Sequence, residues 1–385
     1  MSGQTGIASQ PGITVVAGAA RNALLDALRF LAALLIVVFH YASEGPRPLE
    51  QVSPIFLRGY LSTDFFLMLS GYVLGRAYGS KIAAGAISDE GFLAKRLLRV
   101  WPAHLVMLAA FAAVIGAATL AGLKPNHADF YDWNNLMAQA ALVHAWGFGP
   151  GDGWNLPTWS LSALIVCYAA FPTLWRRLGR ARGGVLLFAA GLGLVQACDL
   201  GTRAVLDHPI YDLPFHLGVI RALPLFVFGV LIARAGELGW PSQRAAGWLA
   251  ALAGAAALAL QAFGRFDLAS ITLLGLLIAG AGQVRLARGG VLFGQAAQIS
   301  FGLYITHIFT GMIWFNLMRA AGHRLALGEP LQWALWALAF PAALVVAALF
   351  DRLVDQPLQA GVAVALKWRR GRYPAPAPSG SAPPR

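Results

Sequence analysis

Arg29 and His40 share one apolar stretch, "LDALRFLAALLIVVFH", that runs from Leu25 to His40. Eleven residues separate them. At 100° per residue the chain returns to within about 20° of its starting direction, so both side chains fall on one helix face, three turns and roughly 16 Å apart. Asp26, Ala33 and Ile36 complete the stripe. An ionisable stripe on an otherwise apolar helix needs a protein interior or a water-filled cavity beside it. A neutral imidazole there suits general-base chemistry on a hydroxyl or thiol, and equally a plain hydrogen bond to a neighbouring helix. Arg29 also has two readings: an ion pair with Asp26 one turn away, or a contact to an anionic ligand.

Further stretches add candidates. In "STDFFLMLSGYVLGRAYG" (62–79), Asp64 lies level with His40, where a carboxylate could fix the imidazole tautomer, while Gly71 suits close helix packing. In "FLAKRLLRVWPAHL" (92–105), Arg96 and Arg99 share a face with Lys95 beside them. Basic residues at a cytoplasmic helix end need no ligand, but forked guanidinium groups also suit the phosphates of a donor such as coenzyme A. Trp159, Ser160 and Ser162 enter the membrane together in "LPTWSLSALIVCYAAFP" (156–172), as candidate acceptor contacts. Tyr304 and His307 lie three apart in "ISFGLYITHIFTGMIW" (299–314), and Arg221 is a charge in an apolar run whose partner the sequence does not name.

The elements that must position these residues follow from composition. The chain is 58% hydrophobic and 12% charged, with a mean hydropathy of +0.63, which predicts an all-α polytopic membrane bundle. Ten apolar segments stand out, near 24–42, 61–78, 100–122, 157–175, 184–199, 215–233, 245–263, 267–284, 298–318 and 331–354. Residues 1–20 lack a basic region ahead of an apolar run, so they read as a disordered tail and not as a cleaved signal. Residues 21–356 form the transmembrane domain, and 357–385 read as a basic, then Pro-rich, disordered cytoplasmic tail. The two cysteines, Cys167 and Cys198, fall in or beside apolar runs and suggest neither a disulfide framework nor a metal site; no metal is expected.

Ten spans with both termini in the cytoplasm place eighteen Lys and Arg residues on the cytoplasmic side and six on the other. That bias follows the positive-inside rule and absorbs most of the net charge of +12, which removes nucleic acid as a partner. The opposite side carries "NHADFYDWNN" (126–135) and "GFGPGDGWNLPTWS" (147–160), a surface suited to a hydroxyl-rich partner.

In order along the chain, "LDALRFLAALLIVVFH", "TDFFLMLSGYVLG", "FLAKRLLRVWPAHL", "TWSLSALIVCYAAFP", "ISFGLYITH" and "DRLVDQP" (351–357) resemble the landmarks of the membrane-bound acyltransferase-3 family. That resemblance implies a multi-pass bacterial inner-membrane enzyme that moves an acyl group, usually acetyl from acetyl-CoA, onto a hydroxyl of a glycan, glycolipid or other small acceptor. His40 would be its catalytic histidine, Arg29 the partner in the motif, and Arg96 and Arg99 the holders of the donor's phosphates. The chain departs from the pattern at Ala163, where many members carry a glutamate. The rival expectation is a glycolipid transporter, which would share the helix count and the intramembrane charges.

Overall fold

A computed structural model describes residues 22–123, 128–149, 151, 153–285 and 290–372. The expected disorder of residues 1–20 and of the Pro-rich end lies outside the described residues.

Each of the ten apolar segments is helical. In chain order the helices are α1 (Ala23–Ala42), α2 (Leu61–Ala83), α3 (Asp89–Leu120), the short α4 (Leu136–Ala140), α5 (Trp159–Arg177), α6 (Gly184–Leu206), α7 (Gly218–Glu237), α8 (Gln243–Phe263), α9 (Asp267–Ala281), α10 (Gly290–Leu325), α11 (Glu329–Phe350) and α12 (Gln356–Arg372). Among the described residues there is no strand.

Eight of these elements are long and apolar enough to cross a membrane. The other two expected spans are α2 and α9. Helix α2 has 23 residues but carries Asp64, Arg76 and Lys81. It holds Asp64 in the middle of the bundle, against α1, α5, α7 and α9, while Arg76 is exposed and Lys81 lies in the last turn. Helix α9 has 15 residues, about 22 Å of rise against a hydrocarbon core of roughly 30 Å. It packs along α8 and closes on α1, where the Asn22 amide donates to the carbonyls of Ala281 (2.9 Å) and Val284 (3.1 Å). The same Asn22 caps α1 by accepting from the Leu24 and Leu25 amides.

Two glycines set the centre of the bundle. A methyl group on Gly71 of α2 would meet the Phe226 carbonyl oxygen at 2.1 Å, and one on Gly229 of α7 would meet that of Met68 at 1.8 Å. The two backbones therefore touch, as small residues allow in lipid. Around this contact lies the main core, built largely from α2, α5 and α7. A second cluster joins α3 to α10, and a third joins α1, α10 and α11. Helices α1, α5 and α10 meet where the three clusters adjoin, and there the candidate residues converge.

The C-terminal end differs from expectation. The chain stays helical after Phe350, through a π-helical turn (Asp351–Asp355) into α12, so the basic stretch up to Arg372 is helix and not tail. The widened turn precedes Pro357, which has no amide hydrogen to offer a regular α ladder. Gln359 then donates to the Leu98 and Arg99 carbonyls, which fastens this end to α3.

Candidate active site

Two cavities approach each other from opposite ends of the bundle. The first, about 240 Å³, opens near the start of α1 and α3 and is lined by Arg29, Arg96, Arg99, Tyr168, Ser160 and Tyr304. The second, about 600 Å³, lies at the other end of α1 and has His40 in its lining.

The arginines of the first cavity are held by neighbours that leave guanidinium surface on the cavity. Arg96 donates to the Tyr78 hydroxyl at 2.7 Å and lies 4.8 Å from the centre of that ring; its buried Nε has no hydrogen-bond partner. Arg99 donates to Asp355 at 2.8 Å and lies over the Phe301 ring. Arg29 is 3.8 Å from Asp26, so the ion-pair reading and the cavity reading of this residue hold together. Lys95 is half-buried and does not line the cavity.

At the deep end of this cavity the Tyr304 hydroxyl donates to the Pro157 carbonyl at 2.8 Å and lies 2.7 Å from Ser160 Oγ. His307 follows one turn along α10, its ring centre 6.3 Å from that of Tyr304 and 5.1 Å from that of His40. His307 Nδ1 lies 3.0 Å from the Leu303 carbonyl, which fits the tautomer that carries its proton on Nδ1. Its Nε2 is buried and has no hydrogen-bond partner. Ser160, Tyr304, His307 and His40 thus form a polar seam between the two cavities.

Asp64 does not serve this seam. Arg221 Nε donates to its Oδ1 at 2.8 Å, and both side chains are almost fully buried, at 6% and 0% exposure. The guanidinium also lies 5.3 Å from the Trp159 ring centre. The expected Asp64–His40 partnership is replaced by an Asp64–Arg221 ion pair, because a buried guanidinium satisfies a carboxylate better than a neutral imidazole does. His40 is flanked instead by the Phe39 and His307 rings. Trp159 and Ser162 are support. Trp159 packs on Phe215, and Ser162 accepts the Ala145 amide at 3.1 Å while its carbonyl accepts from the Trp146 indole. Ala163 is fully buried in the main core and lines neither cavity.

Sequence reasoning missed the residues that hold the arginines. Tyr78 and Asp355 gave only faint signals, a tyrosine near one helix end and an acid among apolar neighbours, and neither suggests its partner. The aromatic segments 126–135 and 147–160, expected to form a surface for a hydroxyl-rich partner, are split: Phe130, Trp133 and Phe148 are exposed, while Trp154 is buried. Phe130, Tyr131 and Trp154 line the second cavity, with the Trp154 indole donating to the Asp132 carbonyl at 3.0 Å. Gly151 and Gly153 permit the fold-back that buries Trp154: a methyl group on Gly151 would meet the His216 amide at 2.0 Å, and one on Gly153 the Phe130 carbonyl oxygen at 2.4 Å.

Fold and site together define an all-helical membrane protein with a seam of ionisable groups between an arginine-lined and an aromatic-lined cavity. The chain belongs to the acyltransferase-3 family, whose acyltransferase domain matches residues 22–352. It is 27% identical to the acyltransferase MdmB of Streptomyces mycarofaciens over 356 residues, 86% of this chain and 87% of that protein. It is 38% identical to protein 2 of the picA locus of Rhizobium radiobacter over 126 residues, 32% of this chain and 60% of that one. No solved structure gives a significant match.

Proposed function

We propose that this membrane acyltransferase moves an acyl group, acetyl in the simplest case, from acyl-CoA on the cytoplasmic side to a hydroxyl of a glycan, glycolipid or similar acceptor on the other side. The observation that carries this reading is the pair of cavities meeting at the His40–His307–Tyr304–Ser160 seam. Three guanidinium groups on one small cavity suit phosphate oxygens, and forked donors hold them better than ammonium groups. The cavity is too small for a whole nucleotide carrier but suits a linear arm, so Arg96 and Arg99 hold phosphates at the mouth and Arg29 guides the arm inward. The donor supplies an acyl group activated as a thioester. His40, at the outer cavity, takes the proton of the acceptor hydroxyl as its oxygen attacks and returns it to the departing sulfur. Tyr304 and Ser160, bonded to each other and to the Pro157 carbonyl, form the polar wall past which the acyl group reaches His40.

The orientation in a bacterial inner membrane, both termini cytoplasmic, rests on the eighteen-to-six distribution of basic residues. It places the arginine cavity where acyl-CoA is found. Reporter fusions after Pro150 and Pro330 should then read external, and those after Arg180 and Arg370 internal; the reverse pattern sinks the assignment of donor and acceptor sides. The chemistry is tested by incubating the protein in lipid discs with labelled acetyl-CoA and a membrane extract, followed by mass spectrometry of the acylated product. Release of free coenzyme A without a His40-dependent acylated product would refute the transfer reading.

A further inference from the structure

The second cavity also bears on what kind of molecule is acylated. It is wide, and its walls are mostly hydrocarbon and aromatic ring: Val114 and Ile115 of α3, Tyr131, Trp154, Met312 and Phe315. A sugar ring can stack its C–H face on Tyr131 or Trp154, but a free polysaccharide would leave Val114, Ile115, Met312 and Phe315 without partners. The cavity is also flanked by spanning helices whose apolar lining residues are exposed, Val114 and Ile313 at 38% and Leu317 at 65%. It therefore opens sideways toward lipid as well as outward. Polar groups lie at one edge, where Arg319 donates to Glu44 at 2.6 Å and to Asn316 at 3.2 Å. His40 joins the same lining.

We infer that the acceptor is an amphiphile: a molecule with an apolar body that enters from the bilayer and lies against the Tyr131–Trp154–Met312 wall, and a hydroxyl-bearing polar head that meets Glu44, Asn316 and Arg319 within reach of His40. This rests on the acyl-transfer reading for its chemistry, but the cavity's choice of ligand stands on its lining. Burial of apolar surface against these rings supplies the affinity, and the charged edge sets which end of the ligand faces His40.

The test uses the full chain in lipid discs and an octyl glucoside carrying a photoreactive diazirine at the end of its chain. Irradiation and peptide mass spectrometry should place adducts on Tyr131, Trp154 or Met312. Unlabelled octyl glucoside should displace them, and glucose or methyl glucoside should not. Ala118→Trp, which fills the cavity from α3, should reduce these adducts about tenfold while leaving labelling of other lipid-exposed helices unchanged. Elution volume and thermal unfolding monitor the fold, and Val114→Trp takes its place if Ala118→Trp fails them. Labelling spread evenly over the lipid-exposed helices, or displacement by glucose as effective as by octyl glucoside, overturns the inference. Release of coenzyme A from acetyl-CoA, followed in the same discs, reports the transferase reading separately: a protein that takes the probe but never turns over the donor would refute only the latter.

Discussion

Arg221 and Arg99 are both arginines on apolar helices, both 2.8 Å from an aspartate, and they do different work. Arg221 is 6% exposed, closed in by Asp64, Tyr60 and Trp159, and lines neither of the two cavities of the candidate site. Arg99 is 38% exposed and keeps one side on the first cavity, next to Arg96 and Arg29. The first pair spends its charges on each other and locks α2 to α7. The second holds an arginine in place while leaving it donors for a ligand. The difference between a closed ion pair and a candidate binding site here is access, and residue type carries no information about it.

His40→Ala gives the largest expected effect. A seam residue is by this comparison a working residue, so the variant should fold and bind acyl-CoA normally while transfer falls about 10²–10⁴-fold, the usual contribution of a general base. The measurement is acylated product at matched protein levels. Activity near the parent's would move the base to His307, whose buried Nε2 is unpartnered.

Asp64→Ala breaks the closed pair and strands Arg221 in the interior. Loss of one partner of a buried ion pair costs about 3–5 kcal/mol, so yield and thermal stability should collapse. Replacing both residues with apolar ones (Asp64→Leu with Arg221→Met) should recover much of the loss. A stable, inactive Asp64→Ala protein would mean that the pair belongs to the catalytic machinery after all.

Arg96→Ala and Arg99→Ala sharpen the open side of the comparison. Each should weaken acyl-CoA binding by about 1.5–3 kcal/mol, the value of a hydrogen bond to a charged group, with little change in melting temperature. Calorimetric titration at two salt concentrations checks this, since binding should weaken as salt rises. Unchanged affinity in both variants would leave these arginines a topological role alone.

Tyr78→Phe should have the smallest effect. It removes the hydroxyl that positions Arg96 but keeps the ring beneath it, so donor affinity should drop by about 1 kcal/mol or less. A loss as large as that of Arg96→Ala would show that Tyr78 itself touches the donor.

Much of this was legible in the chain. Hydropathy located the eight helices long and apolar enough to span, and also the charged α2 and the short α9, because a spanning helix must be apolar over a bilayer's thickness whatever it packs against. Helical periodicity put Arg29 and His40 on one face, and the structure has each lining a cavity, Arg29 the first and His40 the second. Arg96 and Arg99, three apart, share the first cavity for the same reason. These are local properties, set by repeat geometry along a single helix.

What lies across helices was not legible. Asp64 was expected beside His40 from its depth alone, but depth does not say which neighbour a helix turns toward; the glycine contact between α2 and α7 does, and it brings Asp64 to Arg221. Asp355 reaches Arg99 across 256 residues of chain, and His307 reaches His40 across a similar gap. Trp154 turns inward because two glycines allow a loop to fold back onto Phe130 and His216. The sequence alone determined that the chain enters the bilayer, where its long apolar helices run and which face of α1 carries Arg29 and His40. Only the tertiary structure decided which charges neutralise each other and which are left facing a cavity, because pairing depends on distances between helices, and no periodicity within one helix encodes the position of another.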